Sequence, residues 1–68
     1  MSTIRVNGAP RPIPREGATL ADLVREMGLE GKRIAIERNG EVVPRSHYTR
    51  TALADGDRLE IVGAVGGG

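Results

Sequence analysis

Three glycines close the sequence, Gly66-Gly67-Gly68 after Ala64-Val65, and the carboxylate behind them is the group with the plainest chemical use. Without Cβ atoms, Gly67 and Gly68 could pass through a channel too narrow for other residues and leave the last carbonyl open to attack. Gly66 lengthens that permissive stretch. Ala64 and Val65 could add a little apolar recognition before it, with strand-like hydrogen bonds in a partner's groove. A glycine end is costly to order and buries no side chain, so two readings stand open: a handle inserted into another protein, or a frayed terminus without a role. A free carboxylate repels nucleophiles and is inert. ATP can convert it to an acyl-adenylate, from which a sulfur nucleophile displaces AMP to leave a thiocarboxylate, and the atoms that change would belong to Gly68.

Other residues offer little competing chemistry. The chain has no cysteine, so disulfides and thiolate metal sites are excluded and any sulfur must come from a partner. His47 is the single histidine and stands between Ser46 and Tyr48, where it reads as a surface or capping residue rather than a base. Lys32, the only lysine, follows Gly31 without the upstream glycines of a phosphate loop. The glycines at 28, 31, 40 and 56 are spaced singly, as turns and caps require. No cofactor or metal is therefore expected on this chain, and ATP would be consumed by an activating partner. Ten basic and nine acidic residues, a formal charge of +1, do not suggest a nucleic-acid partner. The start MSTIRV is neither an apolar signal segment nor a membrane span, which makes the cytoplasm the expected location.

Sixty-eight residues make one small domain, near the lower limit for independent folding. With no Phe or Trp and only Tyr48 as an aromatic, its core must be aliphatic. Ser2 to Asn7 alternates as a half-buried strand with Ile4 and Val6 inward. Asn7-Gly8 is a hairpin signal, since both residues tolerate positive φ. Pro10, Pro12 and Pro14 limit the return segment, Ala9 to Arg15, to a short or edge strand anchored by Ile13. Thr19 and Asp22 form a helix-capping pair, and Leu20, Leu23, Val24 and Met27 make one apolar stripe over a helix of about nine residues. Gly28 supplies its C-cap and Leu29 the accompanying apolar contact. Ile34 to Glu37 is a second strong strand, Asn39-Gly40 a second hairpin turn, and Val42-Val43 a short strand ended by Pro44. Ser46 is a candidate cap for a short turn, and Leu53 a buried anchor. Asp55-Gly56-Asp57 launches the last strand, Arg58 to Val62, with Leu59 and Ile61 inward.

One short helix must pack across one face of a mixed sheet to bury these positions. The element order predicts an α+β fold of the β-grasp, or ubiquitin-like, kind: four to five strands, one main helix, and the last strand central beside the first. Residues 1–62 would form the domain. Residues 63–68 would form a flexible glycine-rich tail, up to about 20 Å long if extended.

Several segments resemble the thiamine-biosynthesis sulfur-carrier family. Asn39-Gly40-Glu41-Val42-Val43-Pro44-Arg45-Ser46-His47-Tyr48 carries the VVPRS run before an aromatic that characterises it. Gly17 to Leu23 and Asp55 to Val62 resemble the helix start and last strand of the wider group of prokaryotic ubiquitin-like carriers, and Gly67-Gly68 matches their common end. The resemblance covers essentially the whole chain. It implies that a ubiquitin-activating-like adenylyltransferase activates Gly68 and that a sulfurtransferase or cysteine desulfurase supplies sulfur. Thiazole synthase would then accept it, with Gly66, Gly67 and Gly68 inserted into the partner. Arg45 is open to two readings, a local salt bridge or a partner contact; Ala64 and Val65 are further candidate contacts. Tyr48 is expected to pack on the sheet edge with its hydroxyl wet. The small subunit of molybdopterin synthase and carriers for tRNA thiolation share the fold and the activation chemistry. A ubiquitin-like interaction module without a covalent role would be indifferent to Gly68.

Overall fold

The computed structural model describes residues 2–63. Five strands and one α-helix form in the predicted order: β1 Thr3–Val6, β2 Ala9–Pro12, α1 Leu20–Glu26, β3 Ile34–Arg38, β4 Glu41–Val43 and β5 Arg58–Gly63. A 3₁₀ segment, Arg45–Arg50, lies between β4 and β5. The sheet order is β2-β1-β5-β3-β4, with β1 and β5 parallel and the other pairs antiparallel. The last strand is therefore central and next to the first, as the β-grasp arrangement requires.

Alternation places Ile4, Val6, Leu59, Ile61 and Ile36 on the face that α1 covers with Leu20, Leu23 and Val24. Both hairpins close through two-residue Asn-Gly turns with positive φ throughout, 52° and 87° at Asn7-Gly8 and 53° and 89° at Asn39-Gly40. Turns of that sense match the right-handed twist of their strands. In the first hairpin, Val6 opposes Ala9 and Ile4 opposes Arg11. A two-residue turn makes these the hydrogen-bonded pairs, so the donorless nitrogens of Pro10 and Pro12 point to the open edge. The prolines thus allow β2 to pair with β1 and deny that edge to another strand.

The helix is held at both ends. Asp22 N donates to Thr19 Oγ1 at 3.3 Å and Thr19 N donates to Asp22 Oδ2 at 2.8 Å, a complete capping box. At the other end, Leu29 N donates to the Val24 carbonyl and Gly28 N to that of Arg25, with Gly28 at φ 74°. This is a Schellman cap. It stops the helix after Glu26, so α1 has seven residues rather than about nine, with Met27 as the cap and half-buried.

Three further expectations change. Ser46 caps nothing: Pro44 occupies the cap position of the 3₁₀ segment, whose end is closed instead by Thr51 Oγ1 donating to the His47 carbonyl at 2.7 Å. Tyr48 is 7% exposed and belongs to the same cluster as the helix residues, because a core without Phe or Trp has room for its ring inside. The last strand extends to Gly63, which pairs with Ile34, and so takes in the first residue of the expected tail.

Candidate functional site

The chain reaches its terminal glycines through β5, and the body is organised to hold that strand. Asp57, at its start, is 5% exposed. Its carboxylate accepts from Arg38 Nε (3.0 Å), Asn39 Nδ2 (3.0 Å) and Ala54 N (2.8 Å). Burial pushes the Asp57 carboxyl up, but the hydrogen bonds from Asn39 and Ala54 and the Arg38 guanidinium outweigh it and hold the group below its ordinary value. The charge therefore stays on a buried carboxylate that ties β3, the second hairpin turn and the 54–57 turn together.

The asparagines of both hairpins reach β5 from opposite sides. Asn39 N donates to the Arg58 carbonyl at 2.8 Å while its Oδ1 accepts from Arg58 N at 2.9 Å. On the other side, Asn7 N donates to the Leu59 carbonyl at 2.9 Å. Its side chain then bonds residue 61 twice, with Oδ1 accepting from Ile61 N at 2.8 Å and Nδ2 donating to Ile61 O at 3.1 Å. Since β1 has already turned away at Val6, an amide side chain stands in for the next residue of a parallel ladder. These clamps were not apparent in the sequence, where Asn-Gly is a local turn signal. The only hint is that Asn, rather than Gly or Asp, leads both turns and so places a donor and an acceptor on the same tip.

Beyond Ile61, β5 is paired along β3 as far as Gly63 opposite Ile34. Ala64, Val65, Gly66, Gly67 and Gly68, the residues expected to enter a partner, lie outside the described residues. Arg45 is exposed, and its Nη2 donates to the Lys32 carbonyl at 2.8 Å. Among the described residues it has no carboxylate partner. Its local bond is to backbone, pinning the 3₁₀ segment to the turn that precedes β3. Thus Arg45, Lys32 and the end of β5 lie at one end of the sheet, although they are far apart in sequence.

β5 is thus central, paired on both sides and secured by polar clamps at its start and middle. The ThiS family model matches residues 4–68, nearly the whole sequence. The chain belongs to the ThiS family. Its relatives within curated proteins include the sulfur carrier protein ThiS of Bacillus subtilis, 35% identical over 96% of this chain and 98% of that protein. A thiazole synthase of Paramagnetospirillum magneticum is 43% identical over 93% of this chain, which spans only 19% of that longer protein. Among solved structures, the crystal structure of thiamine biosynthesis protein ThiS from Geobacter metallireducens superposes with a TM-score of 0.81 at 29% identity, covering 97% of this chain and 99% of that one. A ThiS-family chain thus has the β-grasp body that its sequence predicts.

Proposed function

We propose that this ThiS-family chain carries sulfur for thiazole formation as a thiocarboxylate on Gly68. The observation that carries the reading is the family match running through residue 68, supported by near end-to-end similarity to the Bacillus subtilis carrier. The central, doubly paired β5 gives such an end a rigid base. In the proposed cycle a carboxylate oxygen of Gly68 attacks the α-phosphorus of ATP on a ubiquitin-activating-like adenylyltransferase, and pyrophosphate leaves. Sulfur from a sulfurtransferase or cysteine desulfurase, delivered as a protein-bound persulfide, attacks the acyl carbon and expels AMP. A thiol then reduces the resulting acyl disulfide and frees the thiocarboxylate. Thiazole synthase is the acceptor, and the chain itself leaves with its carboxylate restored.

The carrier's contribution is presentation. Gly66 and Gly67 let the backbone enter a narrow channel, with Ala64 and Val65 contacting its mouth. Reconstitution with radiolabelled sulfur tests this: the full chain, the activating enzyme, ATP, a sulfur donor and thiazole synthase with its carbon and nitrogen substrates, a deoxyxylulose phosphate and the imine of glycine, should yield labelled thiazole product. A chain lacking Gly68 should yield none. Equal labelling from the shortened chain would refute the assignment.

A further inference from the structure

The short loop before β3 and the 3₁₀ segment bring Lys32, Arg33 and Arg45 together at the end of β5. Ile34, directly after Arg33, is the register partner of Gly63, and Arg45 is bonded to the Lys32 carbonyl. All three side chains belong to exposed residues. Elsewhere on the body, Arg11, Arg15, Arg25 and Arg38 are matched with carboxylates, whereas Arg50 and the register partners Arg5 and Arg58, at the start of β5, share no ion pair among the described residues. Lys32, Arg33 and Arg45 likewise have no ion-pair partner among the described residues. Glu30, the acidic residue of the same loop, is taken up by Arg25 at 3.8 Å. Three unpaired cations thus stand together where β5 leads to residues 64–68, on a molecule whose formal charge is only +1. Arg45 also rims a shallow groove lined by Val24, Ile34 and Tyr48.

We infer that Lys32, Arg33 and Arg45 form a docking collar for an acidic rim on thiazole synthase, around the opening that receives the terminal glycines. The inference rests on the carrier reading above. Thiazole synthase is the occupant favoured by the comparison, because a protein of that name contains a stretch similar to nearly all of this chain. Docking on such a partner begins with a diffusional encounter. A local charge beside the inserting segment then raises the encounter rate and orients the approach, which a net charge near zero cannot do. Gly68 is the fifth residue beyond Gly63, the collar's level, a reach of about 17 Å when extended, so the collar would meet the rim while the end lies inside.

The test is the association rate of the full chain with thiazole synthase, measured by stopped flow over a range of salt concentrations. Lys32→Glu with Arg33→Glu should lower the rate constant about tenfold or more at low ionic strength. The difference should vanish near 1 M salt, where the screening length is about 3 Å. Arg45→Lys keeps the charge and should keep the rate; Arg45→Glu should lose it. Arg58→Glu changes charge equally but sits at the opposite end of β5, and it should have little effect. Thermal melts of each variant verify folding. Equal rates for wild type and the double reversal, or equal loss in Arg58→Glu, would overturn the collar while labelled thiazole formation by the wild type kept the carrier reading intact. Failure of the wild type both to bind and to transfer sulfur would overturn both.

Discussion

Asp57 holds the base of β5, the strand that precedes residues 64–68. It joins Arg38, Asn39 and Ala54 through one buried carboxylate, and losing part of that charge-assisted set should cost roughly 1–3 kcal/mol. Asp57→Asn should therefore lower the urea midpoint without changing the slope; an unchanged midpoint would remove Asp57 from the account. Its acid response has a defined sign. The carboxyls of Asp57 and Asp22 both lie below their ordinary values, Asp57 because its hydrogen bonds and Arg38 overcome burial, Asp22 chiefly because the Thr19 N–H donates to it. A folded-state value below the unfolded value of about 3.9 stabilises the fold fully above that pH and is lost as pH falls through the folded value. Stability from these groups should be level between neutrality and about pH 5 and fall below about pH 4, as urea melts at several pH values would show. A loss beginning above pH 6 would point to other groups.

At the scale of elements, Leu23 joins α1 to the sheet and is fully buried. Leu23→Ala should cost roughly 2–4 kcal/mol, a large share of what so small a domain has available. A loss under about 0.5 kcal/mol in a urea melt would contradict its central place. Asn7→Ala removes both side-chain bonds to residue 61 and places alanine at a positive φ. Faster hydrogen exchange at the Ile61 amide, with little change at Ile36, is the expected result; equal protection at Ile61 would contradict the clamp. These two cases show what a sequence can reveal. Leu20, Leu23 and Val24 repeat at helical spacing, and Ile4, Val6, Leu59 and Ile61 alternate, so period alone locates the buried face. The capping box and both Asn-Gly turns are equally local. The Asn7–Ile61 and Asp57–Arg38 bonds span 54 and 19 residues, and no local pattern encodes which polar side chains will meet. The burial of Tyr48 and the absence of a Ser46 cap are hidden from the sequence for the same reason: the fit of the 3₁₀ segment against α1 is a tertiary matter.

At the scale of the whole molecule, a small aliphatic body secures one central strand, and in the proposed cycle its chemistry is lent by other proteins. The sequence family matches from residue 4 to residue 68, the fold superposes on a solved ThiS structure, and the described body leads directly towards the glycines. Removing Gly68 should leave the thermal melt unchanged while abolishing modification, because no core residue lies beyond Ile61 among the described residues. Formation of a thiocarboxylate on Gly68 can be read by intact-mass and C-terminal peptide mass spectrometry after incubation with the activating enzyme, ATP and a sulfur donor. The expected result is the mass gain of one sulfur replacing one oxygen, confined to the peptide ending in Gly68. An unmodified Gly68 under conditions in which the same enzymes convert the Bacillus subtilis carrier would contradict the carrier reading.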